Sequence, residues 1–393
     1  MSEPPKTGSR YRVGILMHAS QEHMRQVALG VAHCAQLTPD WEVSGDGFHP
    51  LIPWNRLNKW KGDGIIAIVN SHEQIEILKK LNLPFVLAGS RVIDKEYSVV
   101  ASNNYSIGQM AAEHLVESGF RRLVFLGQAV WDDELLRLKG FQELVEQRGL
   151  EFILSDIKLD EYRARDSSTH YRTNVDKLVT QLANFVTPFA VYCPNSVIAR
   201  GLIEACNIAG LSIPEEVAII GVNDDALECE SILPAISTVV QQSRRIGFRA
   251  CQYLHEMVVN HAGVSHQFLE PQGIVARQST DVLLVDDQKV EKAMRFMRDN
   301  VGRGIGIEEV VAAVGISRRG LEVKFKQVLN RTPLSELNRV RIGKAKQLLR
   351  YSDASITAIA LDSGFGSSQS FCVAFKKACG SSPTEFRRGE NES

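Results

Sequence analysis

From residue 11 onward the chain alternates short, unbroken apolar runs with longer amphipathic stretches. The runs are Val13–Met17, Gly64–Val69, Phe85–Gly89, Leu123–Gly127, Phe189–Tyr192 and Val217–Val222. Strands covered by helices on both faces read this way, because neither face needs polar positions. Between them Met24–Leu37, Gly108–Ser118, Leu136–Arg148 and Ser196–Gly210 place apolar residues on one helical stripe. Strand and helix in alternation predict a doubly wound α/β fold, and its length suits two lobes. After the polar Asp286-Asp287-Gln288 the pattern turns helical throughout, broken at Gly302–Gly306, Arg331-Thr332-Pro333 and Ser381-Ser382-Pro383. The expected organisation is a disordered tail (1–10), an α/β domain (11–283), a linker (284–289), an all-α domain (290–388) and a tail (389–393).

The all-α part carries one pattern twice. Val311 and Ala360 each stand four residues before a glycine, Gly315 or Gly364. Ser317 or Ser367 follows, and then an apolar pair at i, i+4, Leu321 with Phe325 or Phe371 with Phe375. Two helices joined by a glycine turn, with serine capping the second, form a helix-turn-helix unit. The second helix of such a unit enters a DNA major groove. A helix from about Leu334 to Arg350 joins the two copies, and a rigid joint would set their second helices in successive grooves about 34 Å apart. Double-stranded DNA is therefore the expected partner.

Charge supports that reading. The formal net charge is −1, but residues 286–393 hold 19 Lys and Arg against 13 Asp and Glu, leaving 26 against 33 for the rest. Ser317–Arg350 alone has ten basic residues and two acidic ones, Glu322 and Glu336. A basic segment on the doubled motif points to phosphate contact. Seven cysteines without a C-x-x-C pair fit reduced thiols rather than disulfides or zinc. No apolar run is long enough for a membrane span, and Met1–Arg10 does not read as a secretory signal, so a cytoplasmic, nucleoid-associated location is expected. Phosphate-binding, dinucleotide, metalloprotease and esterase motifs are missing, so neither enzyme chemistry nor a cofactor is expected.

The second copy, Gly364-Phe365-Gly366-Ser367-Ser368-Gln369-Ser370-Phe371 with Phe375-Lys376-Lys377, Gly380 and Ser382-Pro383-Thr384-Glu385-Phe386-Arg387, resembles the signature of the AraC/XylS transcription activators. Thr332-Pro333, Arg339, Ala345 and Leu348-Leu349 are similar to that family's connecting helix. The resemblance implies base-facing positions at Arg319, Glu322 and Val323 in the first copy, and Ser368, Gln369, Cys372 and Val373 in the second. Arg318 also faces outward beside them. Arg319 and Gln369 are the strongest candidates, since both side chains bond base edges in bidentate fashion. The amides at Ser317 and Ser367 suit phosphate anchoring. Some AraC-type readers are fused to alkyl-transfer repair domains, but Tyr192-Cys193-Pro194-Asn195 lacks the His and Arg beside the cysteine that such chemistry uses.

Upstream, Ser102-Asn103-Asn104-Tyr105-Ser106-Ile107-Gly108, His114-Leu115, Arg137 with Gly140-Phe141, and Ile213–Asn223 resemble LacI/GalR-type sugar sensors. That implies a two-lobed periplasmic-binding-protein-like domain closing over a small polar ligand. The order of sensor and reader is that of bacterial xylose operon activators, which Arg25-Gln26-Val27 with Gly30 and Gly315-Ile316-Ser317-Arg318 also resemble. The resemblance implies a sugar-binding Arg137 on the first turn of a second-lobe helix. It also implies ligand contacts at Asn103, Ser196 and Asn223, each standing where the family places an Asp, and Ser20 and Gln21, in the loop after the first strand, are placed to complete the cleft. Asn can still bond hydroxyls through its donor and acceptor. Trp131 is a candidate stacking platform. The implied function is a sugar-responsive, xylose-like activator acting as a homodimer with RNA polymerase. The alternative is an activator or repressor with a degenerate cleft and no ligand control.

Overall fold

The six apolar runs become the inner strands of two parallel sheets. The computed structural model describes residues 10–17, 21–45, 50–155, 157, 167–282, 284, 287–329, 331–352 and 354–391. The disordered tail expected at 1–10, all but its last residue, lies outside them. Internal contacts divide the chain into Met1–Val282 and Leu283–Ser393.

In the first unit the chain builds most of one lobe: β1 (Tyr11–Leu16), α1 (Glu22–Leu37), β2 (Trp41–Val43), β3 (Gly64–Ala67), α2 (His72–Lys79), β4 (Phe85–Ala88) and β5 (Ser98–Ser102). It then crosses into a second lobe. There it forms α3 (Asn104–Glu117), β6 (Arg122–Phe125), α4 (Asp132–Gln147), β7 (Glu151–Leu154), α5 (Ser167–Leu182), β8 (Phe189–Tyr192) and α6 (Ser196–Ala209). β9 (Val217–Val222), α7 (Ala226–Glu230) and β10 (Ser237–Val240) follow. It returns for α8 (Ser243–Val259) and β11 (His266–Leu269), and crosses once more for β12 (Gly273–Val275). The sheet orders are β11-β5-β4-β3-β1-β2 and β12-β10-β9-β8-β6-β7. Every pairing is parallel except β10 with β12. In both sheets the order reverses beside the first strand, which opens a crevice at the strands' carboxyl ends.

The three crossings are bonded to one another. Asn103 Nδ2 donates to the Glu270 carboxylate at 2.7 Å, and Gln242 Nε2 donates to the Glu270 carbonyl at 2.8 Å. Ser102 Oγ donates to Gln241 Oε1 at 2.5 Å. Each lobe keeps its own core, one around Val27, Ile66, Val86 and Leu254 and the other around Val124, Val191, Leu202 and Ile219. Separate cores joined by three short hydrogen-bonded crossings make a hinge.

The second unit is all helical: α9 (Gln288–Asn300), α10 (Ile307–Val314), α11 (Arg318–Leu329), α12 (Pro333–Tyr351), α13 (Ile356–Asp362), α14 (Ser368–Cys379) and α15 (Pro383–Asn391). Two boundaries differ from expectation. Asp287 accepts from the Lys289 and Val290 amides, so α9 begins inside the stretch read as linker. The helix α15 runs to Asn391, into the stretch read as tail.

The second unit has two small cores. Val310, Val314, Leu321 and Phe325 pack with α9 and with Leu337 of α12. Ile359, Phe365, Phe371 and Phe375 pack with Ile342, Ala345 and Leu349 of the same helix. The three phenylalanines Phe325, Phe371 and Phe375 are fully buried, as their spacing predicts, and each contributes roughly 1.5–3 kcal/mol. Successive segments of α12 thus complete both cores. Arg341 reinforces the joint, donating to the Ile305 carbonyl at 2.8 Å and lying 5.4 Å above the Phe365 ring.

Both helix-turn-helix turns use a left-handed glycine, Gly315 at φ 71° and Gly364 at φ 85°. At Gly315 an added Cβ meets open space, whereas at Gly364 it would lie 2.1 Å from the Val301 carbonyl oxygen. Gly315→Ala is therefore expected to cost about 1 kcal/mol from backbone strain alone. Gly364→Ala should cost at least about twice that, since strain and overlap add. Thermal unfolding of the two variants checks the order, and equal losses would remove the Val301 contact from consideration.

Candidate functional site

The crevice between the lobes is lined from the carboxyl ends of both sheets. The first lobe supplies Gln21, His23, Met24 and Val27 from the start of α1, Ile68 and Asn70 after β3, and Gly89 and Arg91 after β4. The second supplies Asp133, Glu134 and Arg137 of α4, Pro194 and Asn195 after β8, and Asn223 after β9. Gln241 and Ser243 close it from the hinge side. The enclosed space admits the centres of water-sized molecules over ≈ 40 Å³. That is room for a few waters or a small polar solute.

Arg137 is buried, 6% exposed, and fixed on three sides. It donates to Asn104 Oδ1 at 2.9 Å and the Pro194 carbonyl at 2.6 Å, and lies 3.6 Å from Asp133. It stands on the second turn of α4 rather than the first, because that helix begins at Asp132. Burial, reinforced by Arg137 and Arg91, pulls the His23 imidazole down to about 3, so it is neutral at ordinary pH. Burial and the neighbouring Asp133 push the Glu134 carboxyl up. Three buried lining atoms, His23 Nδ1, Asn70 Oδ1 and Asp133 Oδ1, have no hydrogen-bond partner among the described residues. Each such atom costs about 1–3 kcal/mol unless something bonds it. Asn70 Oδ1 and Asp133 Oδ1 accept hydrogen bonds, and the neutral imidazole can accept at Nδ1 as well, so the cleft is suited to a compound rich in hydroxyl donors.

Asn223 meets the cleft in a left-handed conformation, φ 94°, followed by Asp224 at φ 50°. Strain of this kind persists only where neighbours fix it. Asp224 is held by Arg277 at 2.7 Å and by the Thr238 hydroxyl at 2.9 Å. Asn223 Oδ1 accepts from Gln241 Nε2, and Gln241 accepts from Ser102, so a cleft residue is wired to the hinge.

Direct contacts also bridge the lobes. The Ile93 amide donates to Asp132 at 2.8 Å, and the Glu22 amide donates to Asp225 at 3.1 Å. Trp131 packs against the first-lobe core and carries the Arg91 guanidinium 5.5 Å over its ring. It is thus a contact between lobes and not part of the cleft lining.

Of the ligand residues expected from the sequence, Gln21, Arg137 and Asn223 line the cleft, and Ser20 lies outside the described residues. Asn103 and Ser196 do not line it. Asn103 caps α3 by accepting from the Ser106 amide at 3.2 Å, and its amide nitrogen is spent on Glu270. Ser196 is buried and donates to the Val222 carbonyl at 2.9 Å. Sequence reasoning missed His23, Asn70, Arg91, Asp133, Glu134, Asn195 and Gln241. Asp133 and Glu134 were within reach, since they lie one turn before Arg137.

In the helical unit, Ser317 and Ser367 cap α11 and α14, accepting from the Gly320 and Ser370 amides at 3.1 Å each. Arg319 and Gln369 are exposed and make no hydrogen bond or ion pair among the described residues. Val323 and Val373 are exposed beside them, 48% and 68%. Arg318 is tied to Glu308 at 2.7 Å and to Glu322 at 3.2 Å, so both α11 side chains are engaged within the chain. Ser368 is half-buried, and half-buried Cys372 packs on the second core. Part of the basic excess is likewise internal, with Lys324 paired to Asp287 and Arg331 and Arg339 to buried Glu336. All seven cysteines are free, five of them buried. No helix among the described residues is long and apolar enough to cross a membrane, and no group of side chains among them could hold a metal ion.

Residues 112–280 match a periplasmic binding protein-like domain, and residues 310–389 match a helix-turn-helix domain. The chain is 27% identical to the xylose operon regulatory protein of Escherichia coli K12 over 98% of both chains. It is 33% identical to the HTH-type transcriptional activator RhaS of Klebsiella pneumoniae, over 39% of this chain and 56% of that one. A solved structure of a xylose-binding transcription activator aligns with a TM-score of 0.69 at 26% identity, covering 98% of this chain and 99% of that one. This chain therefore joins a periplasmic-binding-protein-like α/β domain to a helix-turn-helix domain, and its similarity to the xylose operon regulatory proteins spans both.

The depressed His23 gives a pH signature. The unfolded chain binds its proton near the ordinary 6.5 and the folded chain only near 3. Stability is then fully present above about 6.5 and falls as pH drops through that window, by up to about 1.4 kcal/mol per unit. Glu134, raised by burial, acts oppositely and softens the loss. His23→Gln should lose less melting temperature than the parent between about pH 7 and pH 5. Parallel curves would mean that His23 is not buried as a neutral group.

Proposed function

We propose that this chain is a sequence-specific DNA-binding transcription regulator that activates a carbohydrate-utilisation operon in response to a monosaccharide resembling xylose. The observation that carries the effector half is the set of unpaired acceptors on His23, Asn70 and Asp133 at one crevice between hinged lobes. The DNA half rests on two capped helices, α11 and α14, whose Arg319 and Gln369 side chains are exposed and uncommitted.

In this reading the ligand's hydroxyls bond the open acceptors together with Arg137, Asn195 and Asn223. Ligand bound to both lobes favours the closed arrangement, and Gln241 carries that preference to the hinge. Two sensors pair as a homodimer in the cytoplasm, and the change alters how their readers engage tandem operator sites and RNA polymerase. The ligand biases this equilibrium only through its differential affinity for the two arrangements. On DNA, Arg319 reads a guanine edge and Gln369 an adenine edge. Glu322, Val323, Ser368, Cys372 and Val373 complete the base-facing surface. Ser317 and Ser367 present their helix N-termini to phosphates. Arg318 must leave its two glutamates to join them.

A gel-shift titration on the promoter of the neighbouring operon, with and without a panel of pentoses, tests the effector role. A sugar should alter affinity or the pattern of complexes. If none does, the regulator is ligand-independent. Arg319→Ala should cost about 1–3 kcal/mol on the preferred operator and relax preference at one position. Equal weakening on all sequences would make Arg319 a phosphate contact.

A further inference from the structure

The chemistry of the cleft lining narrows the effector, on the reading that the cleft is the effector site. Two guanidinium groups line it, and they are not equivalent. Arg137 is engaged by Asn104, the Pro194 carbonyl and Asp133. The Arg91 guanidinium has no hydrogen bond or ion pair among the described residues and rests only on the Trp131 ring, 5.5 Å away. Two carboxylates share the lining, and Glu134 feels the positive charge of Arg91 without forming an ion pair or hydrogen bond with it. Asp133 is turned to Arg137, and Glu134 is 7% exposed and accepts from the Ala129 amide at 3.1 Å. Burial further biases Glu134 toward its uncharged form. His23 is uncharged as well, and the remaining polar lining groups, Gln21, Asn70, Asn195, Asn223, Gln241 and Ser243, are neutral.

The cleft therefore offers one uncommitted cation at one place and open acceptors at others. No Phe, Tyr or Trp is among the described lining residues. The described polar lining offers a ligand charge and hydrogen bonds. A guanidinium with a free fork matches a carboxylate in bidentate fashion, and such charge-assisted pairs are roughly twice as strong as neutral ones.

We propose that the effector is a sugar acid, a polyhydroxylated monosaccharide bearing one carboxylate. The carboxylate seats on Arg91, and the hydroxyls donate to Asp133, Asn70 and His23. Arg91 is the specificity-determining residue, and the Trp131 ring beneath it fixes the plane of its fork.

Titration calorimetry on the full chain compares each acid with its neutral parent, D-xylonate with D-xylose and D-glucuronate with D-glucose. In at least one pair the acid should bind at least about tenfold more tightly. Arg91→Gln should bring that ratio to within about twofold. Arg91→Lys keeps the charge and should retain part of the preference, which separates charge from loss of the Trp131 contact. The proposal is overturned if neutral parents bind as tightly as their acids, or if Arg91→Gln leaves the ratio unchanged. Binding of no sugar, neutral or acidic, would instead remove the effector reading itself.

Discussion

Polar atoms taken out of water must find partners, and in this protein that requirement governs both the shape of the sensor and what it can sense. His23 Nδ1, Asn70 Oδ1 and Asp133 Oδ1 are buried without partners at the meeting of the lobes. Each pays a desolvation cost that a suitable ligand removes. Because Asn70 and His23 belong to one lobe and Asp133 to the other, a ligand that bonds all of them holds the lobes together. The same requirement is met internally wherever the fold must be fixed. Arg137 is held by three partners, Asp224 is pinned by Arg277 and Thr238, and the three crossings between lobes bond through Asn103, Gln241, Gln242 and Glu270. Fixed parts and unsatisfied parts are thus adjacent, which is what a responsive site needs.

The helical unit applies a different constraint. A helix-turn-helix pair is too small to bury much on its own, and each copy here borrows the same helix, α12, to complete its core. Leu337 serves the first copy, and Ile342, Ala345 and Leu349 serve the second. Val301 closing on Gly364 and Arg341 bridging Ile305 and Phe365 add direct ties between the halves. Two readers sharing one helix cannot reorient independently without exposing apolar surface. That is the physical basis for treating α11 and α14 as one reading head.

Much of this was legible in the sequence, for reasons that differ by element. Six of the inner strands carry unbroken apolar runs. The edge strands β2, β7 and β11 are short and partly exposed, and β5 begins and ends on serine, so no such run marks them. The doubled glycine turn was legible because it is local: spacing, capping and burial all act within a dozen residues. The cleft was not. It gathers side chains from segments more than two hundred residues apart, and motif position does not show that Asn103 bonds the α3 backbone and Glu270 or that Ser196 bonds the Val222 carbonyl. Conversely, Arg91 and Asn70 carry no local signal, because what marks them is the absence of a partner.

The central claim is that occupancy of the cleft and occupancy of the operator are two readings of one equilibrium. Linkage makes that claim quantitative, because coupling between two binding sites is reciprocal. The decisive measurement is effector affinity with and without saturating operator DNA, beside operator affinity with and without saturating effector. The two ratios should be equal and on the order of 5–150-fold. Ratios of one in both directions, with effector and DNA each still binding, would show a sensor and a reader that share a chain but not an equilibrium.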